Sequence, residues 1–221
     1  MSLPFRDRTE AGQLLAQKLD AYVDHPDVLV LALPRGGVPV AYEVAKALRA
    51  PLDVFMVRKL GLPGHKELAM GAIASGGTCV LNDDVVRAFK IPIRLIAQVA
   101  SQERRELLRR ERAYRGKAPM PSIKGRVVIL VDDGLATGST MQAAVTALRQ
   151  FGPARIVVAV PTAAAPAREE LLRKVDDCVC VVSPDPFYAV GLSYADFPQV
   201  TDHEVHEILD RSTRDATVPP A

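Results

Sequence analysis

"GRVVILVDDGLATGSTMQAAVTALRQFG", residues 125–152, runs an apolar segment, Val127 to Val131, straight into two adjacent aspartates. Two neighbouring like charges are locally unfavourable unless water or a ligand compensates them. The apolar run lacks polar alternation, as expected for a strand covered on both faces. A loop of glycine and hydroxyl residues follows, and residues 139–151 then read as a helix. Such a loop turns successive backbone N–H groups toward one point, at the positive end of a helix, and binds a phosphate dianion. Ala136, Thr137, Gly138, Ser139 and Thr140 occupy that position, with Gly138 permitting close backbone approach. Neither G-x-x-x-x-G-K-[ST] nor a strand followed by G-x-G-x-x-G is present. Carboxylates would repel a phosphate, so Asp132 and Asp133 must face another part of the ligand. Vicinal sugar hydroxyls suit them, because each carboxylate accepts a charge-assisted hydrogen bond. A sugar bearing a 5′-phosphate satisfies both halves of the motif.

Outward from this stretch, apolar segments at 27–33, 52–57, 126–131, 155–160 and 177–182 read as strands. Helical segments at 10–23, 38–49, 139–151 and 166–174 separate them, which predicts an α/β sheet that is mostly parallel. Segments 69–74 and 78–81 read as a hairpin-like excursion. Residues 82–120 break the alternation with one long helix after Pro92, rich in Arg and Glu. Its mixed signs, including Glu106 and Arg110 at i,i+4, read as a solvated face rather than a nucleic-acid arm. Residues 183–200 are rich in Pro and aromatics and read as an irregular cap. A helix restarts through a capping box, Thr201 to Glu204, and the tail "RSTRDATVPPA" reads as disordered.

The chain has 221 residues, 48% of them hydrophobic and 24% charged, which fits one globular domain over 1–221 with an elaboration. A net charge of +2 gives no argument for nucleic acid. The N-terminus lacks a signal-peptide core, and no apolar run is long enough to span a bilayer, so a soluble cytoplasmic protein without membrane contact is expected. Three cysteines, without CxxC spacing, suit a reducing compartment, and Cys178 and Cys180 share one strand face as structural thiols.

With "VVILVDDGLATGST" in view, the sequence resembles the type I phosphoribosyltransferases. The resemblance spans about residues 27–200 and implies a three-layer α/β fold with strand order 3-2-1-4-5-6, in which 69–74 is an antiparallel strand 3. The helical insertion 82–120 is the main departure, and 183–200 takes the place of the hood. The resemblance implies that Asp132 and Asp133 hold the ribose hydroxyls of phosphoribosyl pyrophosphate, and that 136–140 hold its 5′-phosphate. "LALPRGGVP" ends the first strand where the family grips pyrophosphate, which maps to Arg35, Gly36 and Gly37, with a cis peptide between Pro34 and Arg35. "VRKLGLPGHKE" is similar to the mobile catalytic loop, so Arg58, Lys59 and His65 become catalytic candidates, joined by Lys66. Phe187 or Tyr188 in the hood would stack on a base.

The activity implied is transfer of ribose 5-phosphate to a nitrogen acceptor, a nucleobase for choice, with release of pyrophosphate, as in nucleotide salvage. Mg²⁺ is the implied cofactor, held mainly by substrate and water, with no dedicated protein metal site. Ala136 stands where 6-oxopurine enzymes carry an aspartate, which disfavours that acceptor chemistry. A non-catalytic sensor of phosphoribosyl pyrophosphate or a nucleotide, with the 92–117 helix as its effector surface, is the alternative. Nucleic-acid binding is disfavoured, and a homodimer is left open.

Overall fold

The structure, a computed structural model, describes residues 4–116 and 118–217. Five parallel strands form its central sheet: β1 (Val28–Ala32), β2 (Leu52–Val54), β6 (Val127–Val131), β7 (Arg155–Thr162) and β8 (Asp177–Val182). Their order is β2-β1-β6-β7-β8. The run of apolar residues that suggested two covered faces is used on both. Val28, Val30, Ala32, Ile129 and Val131 pack into one core, whereas Leu29, Leu31, Val128 and Leu130 pack into the other. Alternate side chains of a strand point to opposite faces, so a strand between two helical layers needs no polar residue.

Helices α1 (Arg8–Gln17), α2 (Gly37–Leu48), α4 (Ile93–Arg115) and α7 (Asp202–Thr217) cover the first face. The second is covered by α5 (Ser139–Arg149) and α6 (Ala165–Leu172). This is the three-layer α/β arrangement that the sequence implies. Burial drives the α2 contact, where Val40, Val44 and Leu48 recur at helical spacing and are each at most 1% exposed.

Segment 69–74 is a correction. It does not join the central sheet as strand 3. It lies in β4 (His65–Ala74), between β3 (Val57–Leu62) and β5 (Cys79–Leu81), in a separate antiparallel sheet of order β3-β4-β5. The register Val57↔Ala74, Arg58↔Ile73 and Lys59↔Ala72 satisfies the hairpin's backbone locally, at small loop-closure cost. The remaining central strands keep the expected order.

In the insertion, α3 (Asp83–Ala88) precedes α4. The outer face of α4 carries Glu106 bonded to Arg109 and Arg110, and those guanidiniums hold the Glu106 carboxyl down at about 2. The inner face is tied to the body at three points. Arg115 donates to Asp53 of β2 at 2.8 Å and to Glu111 at 3.0 Å, Arg58 pairs with Glu103, and Tyr114 donates to Asp202 at 2.6 Å. Burial pushes the Tyr114 hydroxyl up to about 12. Replacing Tyr114 with Phe removes that bond while keeping the ring, and is expected to cost about 1 kcal/mol. A thermal melt should show a fall of roughly 2–4 °C, and an unchanged midpoint would show the bond contributes nothing.

The disordered tail is a second correction. The capping box forms as read, with the Thr201 amide donating to Glu204 Oε2 at 2.7 Å and the Glu204 amide to Thr201 Oγ1 at 3.2 Å. The helix then continues to Thr217, because Asp215 accepts a 2.7 Å bond from Tyr42 of α2 and Leu209 is buried. Residues 218–221 lie outside the described residues. No helix among the described residues is long and apolar enough to cross a membrane. Cys178 is buried and its thiol is pushed up to about 11 by that burial.

Candidate active site

Strands β1 and β6 are neighbours, with Ala32 opposite Val131, and the strand order reverses between β2-β1 and β6-β7. Ligands of open α/β sheets gather outside the carboxyl ends of strands at such a reversal. The loops leaving both strands therefore meet. A Cβ on Gly36 would stand 1.9 Å from Asp133 Oδ2, and one on Gly37 would stand 2.8 Å from the Val131 carbonyl oxygen and 2.9 Å from Asp132 Cα. The two glycines of "PRGG" are thus what lets the Arg35 loop lie against the acidic pair. The bond between Pro34 and Arg35 is cis. The Gly37 amide already donates to the Leu33 carbonyl at 3.1 Å, so its contribution here is one of space.

Asp132 and Asp133 are half-buried at this junction. Burial raises the Asp132 carboxyl well above the usual range, and the adjacent Asp133 charge adds to it. Burial also raises Asp133, against the opposing pull of Arg8. Arg8 comes from α1 and donates through Nε and Nη2 to Asp133 Oδ2, at 3.0 and 2.9 Å. Its Nη1 donates to the Pro198 carbonyl at 2.7 Å, and its guanidinium lies 3.8 Å from the centre of the Phe197 ring.

Downstream of the aspartates, Leu135 is pinned between β7 and α6. Its amide donates to the Thr162 carbonyl at 2.9 Å, and its carbonyl accepts from Ala164 at 2.8 Å. Gly138, at φ +72°, caps α5 in the left-handed region that favours glycine. Ala136, Thr137, Ser139 and Thr140 are exposed around it, with the Thr137 and Ser139 hydroxyls 3.2 Å apart. Lys59 reaches over from β3, and its Nζ donates to Ser139 Oγ at 2.6 Å. A cation and a helix N-terminus therefore share one small region, which suits a phosphate.

Arg58 and Lys59 part company. Adjacent strand residues point to opposite faces, so Lys59 meets the loop at Ser139 while Arg58 pairs with Glu103 of α4. His65 lies in β4 with its backbone opposite Leu62, and the side chains of His65 and Lys66 lie outside the described residues.

The hood includes Phe5 of the N-terminal segment, which sequence reading missed. The Phe5 amide donates to the Ser193 carbonyl at 2.8 Å, and the Ala195 amide to the Phe5 carbonyl at 2.7 Å. Phe5, Ala11 and Tyr194 form a small core there, and the Tyr194 hydroxyl donates to the Asp133 carbonyl. A cavity of about 490 Å³ opens under the hood, lined by Arg8, Arg35, Asp133, Val190 and Phe197 among others. Phe187 and Tyr188 do not line it, and Tyr188 is 78% exposed. A larger cavity of about 700 Å³ lies on the hairpin side, where Lys59 and Ser139 form part of its wall.

Arg8 gives no local signal in the sequence. Its partner is 125 residues away, and only the fold joins them.

Residues 64–196 match the phosphoribosyl transferase domain family. The chain belongs to that family. A Mycobacterium tuberculosis protein provisionally named a phosphoribosyl transferase is 47% identical over 212 residues, covering 96% of this chain and 47% of that protein. The chain thus spans about half the length of the curated relatives it matches. The crystal structure of TT1426 from Thermus thermophilus is 44% identical, with a TM-score of 0.85 over 94% of this chain and 98% of that one. The bifunctional protein PyrR of a Roseiflexus species is 34% identical over 131 residues, covering 55% of this chain and 62% of its own. In this phosphoribosyl transferase domain, the family match takes in the acidic pair and loop 136–140 but begins after Arg35, Arg58 and Lys59.

Proposed function

We propose that the protein transfers ribose 5-phosphate from phosphoribosyl pyrophosphate to a nitrogen acceptor, a nucleobase for choice, and releases pyrophosphate. The observation that carries this is the meeting of three elements at one sheet reversal: the acidic pair, the Arg35–Gly36 loop and the 136–140 turn. In this reading the 5′-phosphate sits on the amides and hydroxyls of 136–140, with Lys59 beside it. Asp132 and Asp133 accept hydrogen bonds from the ribose hydroxyls. Pyrophosphate lies against Arg35 and Gly36. The reaction passes through an oxocarbenium-like state, so the residues act by holding groups in line and balancing charge.

Mg²⁺ fits this donor set. Substrate oxygens and water would supply most of its ligands, as suits a cation that keeps several of its waters. When bound it neutralises pyrophosphate charge. The acceptor enters the cavity beneath the hood, against Val190 and Phe197 rather than Phe187 and Tyr188. With Ala136 on the loop, no carboxylate is available there for a 6-oxopurine proton.

Pyrophosphate release, followed across a panel of purine and pyrimidine bases with phosphoribosyl pyrophosphate and Mg²⁺, tests the proposal. Release with one base well above the base-free rate is expected. Binding of phosphoribosyl pyrophosphate without release for any acceptor would instead support a regulatory binding protein. One observation favours that second reading: Arg58 is engaged with Glu103, which leaves Lys59 alone of the pair at the phosphate turn.

A further inference from the structure

We propose that Arg8 is a positioning residue for the ribose-binding acids, holding the Asp133 carboxylate in place and in its charged form. The ligand part of this inference rests on the functional reading above; the titration part does not.

Arg8 is fixed from both sides. Asp7 caps α1 by accepting the Glu10 amide at 2.8 Å, and the preceding Phe5 is hydrogen-bonded into the hood. The Arg8 side chain is 9% exposed, and Nε, Nη1 and Nη2 all donate within the protein. A guanidinium so committed does not serve as a direct phosphate ligand. It acts through Asp133. Both of its bonds to that residue fall on Oδ2 and neither on Oδ1, so a ribose hydroxyl can be accepted without breaking the pair.

The charged and titratable groups around Asp133 come from each neighbouring element. Arg8 faces it from α1, Asp132 from its own loop and Tyr194 from the hood, while Arg35 lines the same cavity with its Nη1 3.7 Å from Asp202 of α7. Burial and the adjacent like charge both favour protonating the acidic pair, and Arg8 opposes them. Removing Arg8 raises the pH at which the pair takes up a proton. A protonated carboxyl is a poorer acceptor for a diol, so affinity should then climb with pH.

The test compares wild type, Arg8→Gln and Arg8→Lys. Phosphoribosyl pyrophosphate binding is measured by calorimetry from about pH 6 to about pH 9, and the aspartate carboxyl carbons are titrated by NMR without ligand. Arg8→Gln should bind about tenfold more weakly near neutral pH, with the gap closing as pH rises. Its ligand-free carboxyl midpoint should move up by about one unit or more, while Arg8→Lys stays near wild type. A loss that is constant with pH, with an unmoved midpoint, would overturn the proposal and leave Arg8 as packing. Should Arg8→Gln fold poorly, the comparison moves to an Asp132→Asn background, where Asp133 titrates alone and its midpoint must still rise. If wild type binds no phosphoribosyl pyrophosphate at any pH, the functional reading fails. The carboxyl titration still decides the role of Arg8.

Discussion

Replacing Asp132 and Asp133 together by Asn is expected to weaken phosphoribosyl pyrophosphate binding by at least about tenfold, and by up to about a hundredfold. The substitution keeps shape and removes both charges proposed to face the ribose diol. Hydrogen bonds to charged groups contribute about 1.5–3 kcal/mol and neutral ones about 0.5–1.5 kcal/mol, so each Asn loses about 1 kcal/mol and the two together fall within this range. Inorganic phosphate should bind as before or slightly better, because the 136–140 turn is untouched and nearby negative charge is gone. Calorimetry with Mg²⁺ present measures both ligands on both proteins. Equal affinity of mutant and wild type for phosphoribosyl pyrophosphate would reduce the aspartates to a solvated strand end.

The single substitutions are expected to change stability in opposite directions. Asp133→Asn leaves the Arg8 guanidinium, 9% exposed, without its counter-charge. Removing one partner of a buried pair costs about 3 kcal/mol, which lowers the melting temperature by roughly 6–12 °C. Asp132→Asn removes a carboxylate whose charged form is disfavoured by burial and by Asp133. It should stabilise the protein by about 1 kcal/mol near neutral pH.

The sign with pH follows from the direction of the shift. A carboxyl raised in the folded state contributes stability that is complete below the ordinary carboxylate range. That contribution is lost as pH rises through the raised value. The advantage of Asp132→Asn over wild type should therefore shrink as pH falls toward about 4. Melts across this range check it, and a destabilised Asp132→Asn at neutral pH would contradict the burial argument. A residue that lowers stability at the mouth of a strand, beside the exposed 136–140 turn, is what a ligand site produces.

How far the site was legible depends on the sequence distance over which each feature is made. The 136–140 turn is local: a buried strand, a left-handed glycine and a helix start lie within a few residues, so pattern alone locates it. The Glu106–Arg110 pair and the Thr201–Glu204 cap were legible for the same reason. Lys59 and Arg58 were read as one cationic pair, although strand alternation sends them to different faces, and only the packing of α4 and α5 shows which of the two meets the 136–140 turn. Phe187 and Tyr188 had the right composition for a base platform. The hood's pairing with Phe5 instead brings Val190 and Phe197 to the cavity.

The family resemblance implied the order of β2, β1, β6, β7 and β8, and from the sequence by itself came the layered α/β class and the run from a buried strand through two aspartates to a glycine turn and a helix start. The last two rest on periodicity or on backbone chemistry within one segment, where a short stretch suffices. Tertiary structure alone decided that the hairpin of 69–74 and 78–81 takes in β3 and stays off the central sheet, that the helix after Thr201 continues to Thr217, and that Arg8 meets Asp133 across 125 residues. Those outcomes depend on which surfaces are buried against each other. A guanidinium in an exposed-looking N-terminal segment has no signature of its own until the hood folds over it and excludes water.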